Sequence, residues 1–232
     1  MRRGAFTGAL AGALAVALLA SGAAAQVADL PLTEVPSAGR SRIFVVFISG
    51  DGGWAALDKS VSAALSARGY PVVGLNARTY LWSGKTPAQV GSDLGRIIRA
   101  YRQKWTRDSV VVVGYSRGAG IAPFAVNRLP AELRGAVAAV VLIGAERGAG
   151  FQFRMRDLLR SGPAGNEVPV LPEIAVLGAT PLVCFYGDDE TDTLCRDLHP
   201  PAIVVRMPGG HHLDGDYASI GQRIVSAITT GR

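Results

Sequence analysis

Gly114-Tyr115-Ser116-Arg117-Gly118 is a G-x-S-x-G pentapeptide, and four β-branched residues, Val110 to Val113, run straight into it. A serine hydroxyl is a weak nucleophile until a base takes its proton, and it must stand clear of its own backbone to be approached. A sharp strand-to-helix turn achieves the second condition. Glycine is needed two residues either side of the serine, because strand and helix backbones come too close there for a Cβ. Ser116 is therefore the candidate nucleophile.

A serine nucleophile needs a base, and the base needs an acid to orient it. His199 stands beside Pro200-Pro201, ahead of a predicted strand, whereas His211 and His212 follow the last predicted strand in Pro208-Gly209-Gly210-His211-His212. The second location matches the chain order serine, acid, histidine of an α/β-hydrolase. His211, directly after the glycine pair, is the first candidate for the base and His212 the second. The acid is expected in Gly187-Asp188-Asp189-Glu190-Thr191-Asp192. Four carboxylates cannot all face the histidine, since clustered like charges raise one another's pKa. In α/β-hydrolases the acid often stands three residues after the glycine that ends this strand, which selects Glu190, with Asp192 as the alternative.

The oxyanion that develops on the substrate needs two aligned backbone donors. Arg117 N–H, directly after the nucleophile, is one. Asp51 N–H is the other, in Ser49-Gly50-Asp51-Gly52-Gly53-Trp54, where lipases carry a glycine-rich oxyanion loop; Gly50 is expected to line the site. Asp51 and Arg117 also bring one side chain of each sign to the pocket. Tyr80 and Trp82, in the segment after the second predicted strand, are candidates for lining an acyl or lipid subsite at the carboxyl ends of the strands. The chemistry so assembled calls for no metal and no cofactor.

These residues must be positioned by an alternation of apolar runs and amphipathic stretches, the signature of an α/β fold. Strands are expected at Ile43 to Ile48, Val72 to Leu75, Val110 to Val113, Val137 to Ile143, Leu182 to Tyr186 and Ile203 to Met207. Leu57, Val61, Ala64 and Leu65 share one face of a helix that Gly69 ends. Thr86-Pro87-Ala88-Gln89 combines an N-cap, a proline in the first turn and a capping-box glutamine. Val90, Leu94, Ile97, Ile98 and Tyr101 then form the buried stripe of a helix ending near Trp105. Another helix runs from the serine to about Asn127. The stretch from Gly144 to Thr180, with Pro163, Pro169 and Pro172, reads as a long excursion near the site. The expected architecture is an α/β-hydrolase fold with a mostly parallel central sheet, helices on both faces, and minimal or no cap domain.

Met1-Arg2-Arg3, an alanine-rich apolar run and Ser21-Gly22-Ala23-Ala24-Ala25 make up the parts of a secretory signal peptide, with cleavage expected after Ala25. The division is then 1–25 signal peptide, 26–40 linker and 41–232 one hydrolase domain, which implies an exported protein. The formal charge of +6 falls by two when Arg2 and Arg3 leave. That modest excess favours peripheral contact with anionic membrane lipid, and the absence of a basic run argues against nucleic acid as a partner. Cys184 and Cys195 are the only cysteines, and an even count in an exported chain points to one disulfide. If formed, it straddles Glu190 and Asp192.

Phe47-Ile48-Ser49-Gly50-Asp51-Gly52-Gly53-Trp54, Gly114-Tyr115-Ser116, Cys184-Phe185-Tyr186-Gly187 through Cys195, and Pro208-Gly209-Gly210-His211-His212-Leu213-Asp214-Gly215-Asp216-Tyr217 together resemble the VirJ/AcvB bacterial virulence proteins, over roughly Arg42 to Ile224, in their short form with one hydrolase domain. The resemblance implies a periplasmic α/β-hydrolase. It further implies that Ser116 attacks the ester joining an amino acid to the glycerol of aminoacyl-phosphatidylglycerol, an aminoacylated phospholipid. A general carboxylesterase or thioesterase acting on another ester is the first alternative. A non-catalytic accessory of type IV secretion, with secretion-system proteins as partners, is the second. Arg117 stands where the family more often carries an aromatic residue, and its charge is expected to disfavour a lysyl group and suit a lipid phosphate.

Overall fold

The computed structural model describes residues 26–153 and 167–230. The expected signal peptide and its cleavage point lie outside the described residues, as does Pro163. Among the described residues, seven strands form one sheet in the order β1-β3-β2-β4-β5-β8-β9, comprising β1 (Leu32–Val35), β2 (Ile43–Ile48), β3 (Val72–Leu75), β4 (Ser109–Tyr115), β5 (Val137–Ile143), β8 (Leu182–Gly187) and β9 (Ile203–Met207). All neighbours pair in parallel except β1, which runs antiparallel to β3. Two-residue strands β6 (Gly148–Ala149) and β7 (Val168–Pro169) pair separately, inside the long excursion expected after β5.

Alternation along the strands divides the core. Phe44, Val46 and Ile48 of β2, with Val110 and Val112 of β4, face one side and pack on helices α3 (Pro87–Trp105) and α4 (Arg117–Asn127). Val45, Phe47, Val111 and Val113 face the other and pack on α1 (Ala56–Ala67) and α7 (Tyr217–Thr230). Every residue of β2 is buried, as a strand covered on both faces requires. Helix α2 is the short turn Ala77–Tyr80, α5 spans Ala131–Arg134 and α6 spans Leu171–Val176.

The start of α3 has the expected chemistry. Thr86 Oγ1 accepts from Gln89 N–H at 3.2 Å and Gln89 Oε1 accepts from Thr86 N–H at 2.8 Å, with Pro87 in the first turn. Such a cap is worth about 1 kcal/mol. The expected stripe from Val90 to Tyr101 is buried.

The segment 26–40 is not the linker its prolines suggested. Leu32 to Val35 pairs with β3, Val27 and Leu30 are buried, and Glu34 accepts from Lys104 Nζ and from Tyr101 Oη at 2.7 Å. Pro31 and Pro36 flank the strand at a sheet edge, where a missing N–H costs no ladder bond. The domain therefore begins earlier than residue 41.

Candidate active site

The nucleophile elbow is held by backbone contact. Ser116 has φ 52° and ψ −117°, a positive φ rare for a residue with a side chain, between the end of β4 and the first turn of α4. A Cβ on Gly114 would lie 2.4 Å from the Gly118 carbonyl oxygen, and one on Gly118 would lie 2.1 Å from that of Ile48. Glycine is thus required at both positions. Ser116 N–H donates to Ile143 O at 2.8 Å, which ties the strained residue to β5.

His211 Nε2 lies 2.9 Å from Ser116 Oγ, and His211 Nδ1 lies 2.6 Å from Glu190 Oε1. The second oxygen of Glu190 accepts from Gly187 N–H at 2.8 Å, so the carboxylate is aimed from both sides. The Glu190 hydrogen bond, reinforced by its charge, raises the His211 pKa above the ordinary 6.5 against the opposing effect of burial. For Glu190, burial pushes upward, but the hydrogen bonds from His211 and Gly187 and the histidine's charge prevail, and the carboxyl sits below the usual 4.5. The arrangement keeps Glu190 ionised and Nδ1 protonated, leaving Nε2 to accept the serine proton.

The alternatives fall elsewhere. Asp192 is 80% exposed and pairs with Arg147, which also holds Asp197 at 2.7 Å, so it does not reach the histidine. His212 Nδ1 lies 2.9 Å from Tyr115 Oη, away from Ser116 Oγ. Tyr80 is 4% exposed and its hydroxyl donates to Asp93 at 2.8 Å, which makes it a core residue and corrects its expected place in a substrate subsite. Trp82 is 56% exposed and stacks on Phe153 with 5.8 Å between ring centroids.

The loop after β2 is tight. Gly53 N–H donates to Gly50 O at 3.0 Å, and a Cβ on Gly50 would lie 3.2 Å from the Ser116 Cβ, so this loop stands against the nucleophile. Arg117 opens α4, where first-turn N–H groups have no acceptor within the helix. Its guanidinium forms a two-point ion pair with Asp51, with Nη2 to Oδ2 at 3.0 Å. The charge expected to favour a phosphate is thus already matched by a carboxylate.

Other neighbours of the histidine were not foreseen. Gly144, directly after β5, has φ 56°, and a Cβ there would lie 2.9 Å from His211 Cε1. Its signal was only a glycine at the end of an apolar run. The Tyr115 ring stacks against His211 at 5.6 Å between centroids, 28° from parallel. Glu146 keeps contact with solvent, but protein crowded around its carboxyl raises its pKa; Glu167 and Asp51 push it further up, while His211 and Arg117 pull it down. A glutamate in an irregular loop carries no local signature.

Cys184 on β8 and Cys195, in the short 3-10 turn Leu194–Asp197, form a disulfide with Cα atoms 5.6 Å apart. The bridge spans the loop that carries Glu190. Among the described residues no group of three or more His, Cys, Asp or Glu is arranged to hold a metal, and no helix is long and apolar enough to cross a membrane.

The family model described as bacterial virulence protein (VirJ) matches residues 42–232. A search among curated proteins returned no match. Among solved structures, the chain is similar to a putative dienelactone hydrolase from Klebsiella pneumoniae subsp. pneumoniae MGH 78578, with TM-score 0.62 and 16% identity over 86% of this chain and 92% of that one. It is also similar to the esterase domain of a Rhodothermus marinus protein, with TM-score 0.57 and 15% identity over 84% and 89%. The thioesterase domain from the curacin biosynthetic pathway gives TM-score 0.57 and 16% identity over 84% and 94%. At these identities the likeness establishes the α/β-hydrolase fold.

Proposed function

The chain belongs to the VirJ family of bacterial virulence proteins, and from that premise we propose that it is an exported serine hydrolase that cleaves the aminoacyl ester of aminoacyl-phosphatidylglycerol. The observation that carries the hydrolase reading is the continuous relay from Ser116 Oγ through His211 to Glu190, at 2.9 and 2.6 Å. Ser116 Oγ attacks the ester carbonyl carbon as its proton passes to His211 Nε2. The N–H groups of Arg117 and Asp51 stabilise the oxyanion, and Glu190 stabilises the imidazolium. Collapse breaks the ester bond, and the departing glycerol oxygen takes the proton from His211. Water then gives a proton to Nε2 and attacks the acyl-enzyme carbonyl; the acyl–Oγ bond breaks, releasing the amino acid, and Ser116 Oγ takes the proton back from His211.

Two features support an acyl group bearing an ammonium. Asp51 offsets the charge of Arg117, which removes the expected penalty on a lysyl group, and the Glu146 carboxylate, which acts electrostatically on His211, adds a second negative group near the base. Export accords with the disulfide, since such bonds persist in oxidising compartments. Exposed Trp82, with Arg78 5.5 Å from the Phe153 ring and Lys85 4.9 Å from the Tyr80 ring, makes the segment after β3 an apolar and basic surface suited to anionic lipid.

Mature protein incubated with lysyl- and alanyl-phosphatidylglycerol, beside a p-nitrophenyl ester, tests this directly. Release of amino acid that disappears in Ser116→Ala is the expected result. Fast turnover of the soluble ester with no release from either lipid would make the protein a general esterase. Normal cellular function of Ser116→Ala would favour the accessory role.

A further inference from the structure

The two residues whose N–H groups would form the oxyanion hole are the same two whose side chains form the Arg117–Asp51 ion pair. Resting on the serine-hydrolase reading, we propose that this ion pair is a positioning clamp that sets the spacing of the oxyanion-hole donors. The two sides of the hole differ in what fixes them. Arg117 is the first residue of α4, held by the Ser116 elbow and by the close packing of Gly118 on β2, where an added Cβ would lie 2.1 Å from Ile48 O. Asp51 lies between Gly50 and Gly52, where the backbone has the most conformational freedom to lose.

The start of the second loop is anchored, since Ser49 Oγ accepts from Ala77 N–H at 2.9 Å, and its end is closed by the Gly50–Gly53 bridge. Its tip has little to rest on. A Cβ on Gly52 would meet only the Ala55 Cβ, 3.8 Å away. The tie between tip and helix is the guanidinium, whose planar fork fixes both distance and orientation when it holds both carboxylate oxygens. Arg117 is the better placed to act as the fixed end. Its side chain is 12% exposed against 35% for Asp51, and Nη1 also reaches Gly150 O at 3.4 Å. That contact depends on glycine, since a Cβ on Gly150 would lie 2.3 Å from Arg117 Nη1.

An oxyanion hole works only when its donors are aimed before charge develops, so loosening the clamp should cost transition-state binding and spare the ground state. Steady-state turnover of a p-nitrophenyl ester would be compared in wild type, Asp51→Asn, Arg117→Met and the double variant, each of which keeps its backbone N–H. Both single variants are expected to lower kcat about 30- to 100-fold with KM changed by less than about twofold. Affinity for an alkyl trifluoromethyl ketone, whose adduct with Ser116 carries an oxyanion, should fall by the same factor as kcat/KM. The double variant should be no worse than the poorer single variant, because either change breaks the same tie. Arg117→Lys, which keeps the charge and one contact, should recover part of the loss.

Unchanged kcat in both single variants, losses that multiply in the double variant, or a loss confined to KM would each overturn the clamp. Thermal unfolding identifies any variant that fails to fold; should Arg117→Met fail, the more exposed Asp51→Asn reads the same tie from its other end. Wild-type turnover that does not require Ser116 would overturn the clamp and the hydrolase reading together. Ser116-dependent turnover with unaffected variants would overturn the clamp alone.

Discussion

The two halves of the triad are held by different physical means. Ser116 sits at the end of β4, beside the fully buried strand β2, and its place follows from backbones pressed together at Gly114 and Gly118. Glu190 and His211 follow β8 and β9, toward the edge of the sheet, where Ile203 and Val204 are 46% and 39% exposed. Packing is thin there, and specific ties replace it. The Cys184–Cys195 bridge closes the acid loop, Asp188 accepts from Gly209 N–H at 2.9 Å, and Arg196 donates to the carbonyl oxygens of Glu190 and Asp188 at 2.9 and 3.0 Å. Burial fixes the nucleophile; cross-links fix the base and the acid. Damage to the first half should therefore appear as lost stability, and damage to the second as lost alignment.

The largest effect should come from Glu190→Gln, which keeps the shape of the side chain and removes the charge that orients His211. Turnover is expected to fall by about 1,000- to 10,000-fold, by comparison with loss of the orienting acid in other triads. The pH profile gives a second readout. The hydrogen bond and charge of Glu190 favour the imidazolium, so the folded-state pKa of His211 lies above 6.5. Catalysis needs the neutral base, and kcat/KM should therefore rise with pH through a midpoint above that value. In Glu190→Gln the midpoint should move to lower pH, and an unmoved midpoint would mean that another group supplies the base.

Gly118→Ala strikes the other half. The added methyl would meet the Ile48 carbonyl oxygen, a backbone atom that cannot swing aside, and the expected cost is about 3 kcal/mol of stability. Urea unfolding should show a lower midpoint at constant slope. Reducing the disulfide should cost slightly less, about 2–3 kcal/mol for so short a loop. It should also lower turnover by about tenfold at temperatures where the protein stays folded, through a looser Glu190 loop. A loss of turnover in folded Gly118→Ala as large as that caused by reduction would erase the distinction between the halves.

The same division governs what could be read from the chain. The elbow was legible because its requirements are local: a β-branched run, then glycine at fixed offsets around Ser116. The capping box at Thr86 and Gln89 was legible for the same reason. Strand β1 was not, since Leu-Thr-Glu-Val between two prolines lacks strand periodicity and gains its place from pairing with β3. Tyr80 was misread because a position after a strand does not say which way the ring turns. Local spacing ranks Glu190 ahead of Asp192 and His211 ahead of His212, but dismissing the second of each pair requires knowing which loop closes on which, and that information is tertiary. The sequence places the opposite charges of Arg117 and Asp51 beside one pocket, but that they close into a two-point ion pair depends on how the loop after β2 meets α4.

The smallest predicted effect tests that tertiary choice. Asp192 lies two residues from Glu190 on the same loop, but its carboxylate meets Arg147 at an 80% exposed position. An exposed ion pair contributes roughly 0–1 kcal/mol, and Arg147 keeps Asp197 at 2.7 and 3.0 Å when Asp192 is neutralised. Asp192→Asn should therefore leave stability within about 0.5 kcal/mol and turnover within about twofold of wild type. Thermal melts and p-nitrophenyl ester kinetics run beside Glu190→Gln provide the check. A loss comparable to that of Glu190→Gln would require the loop to turn Asp192 toward His211 during catalysis, and the acid half would then be a moving part whose cross-links leave it free to exchange one carboxylate for another.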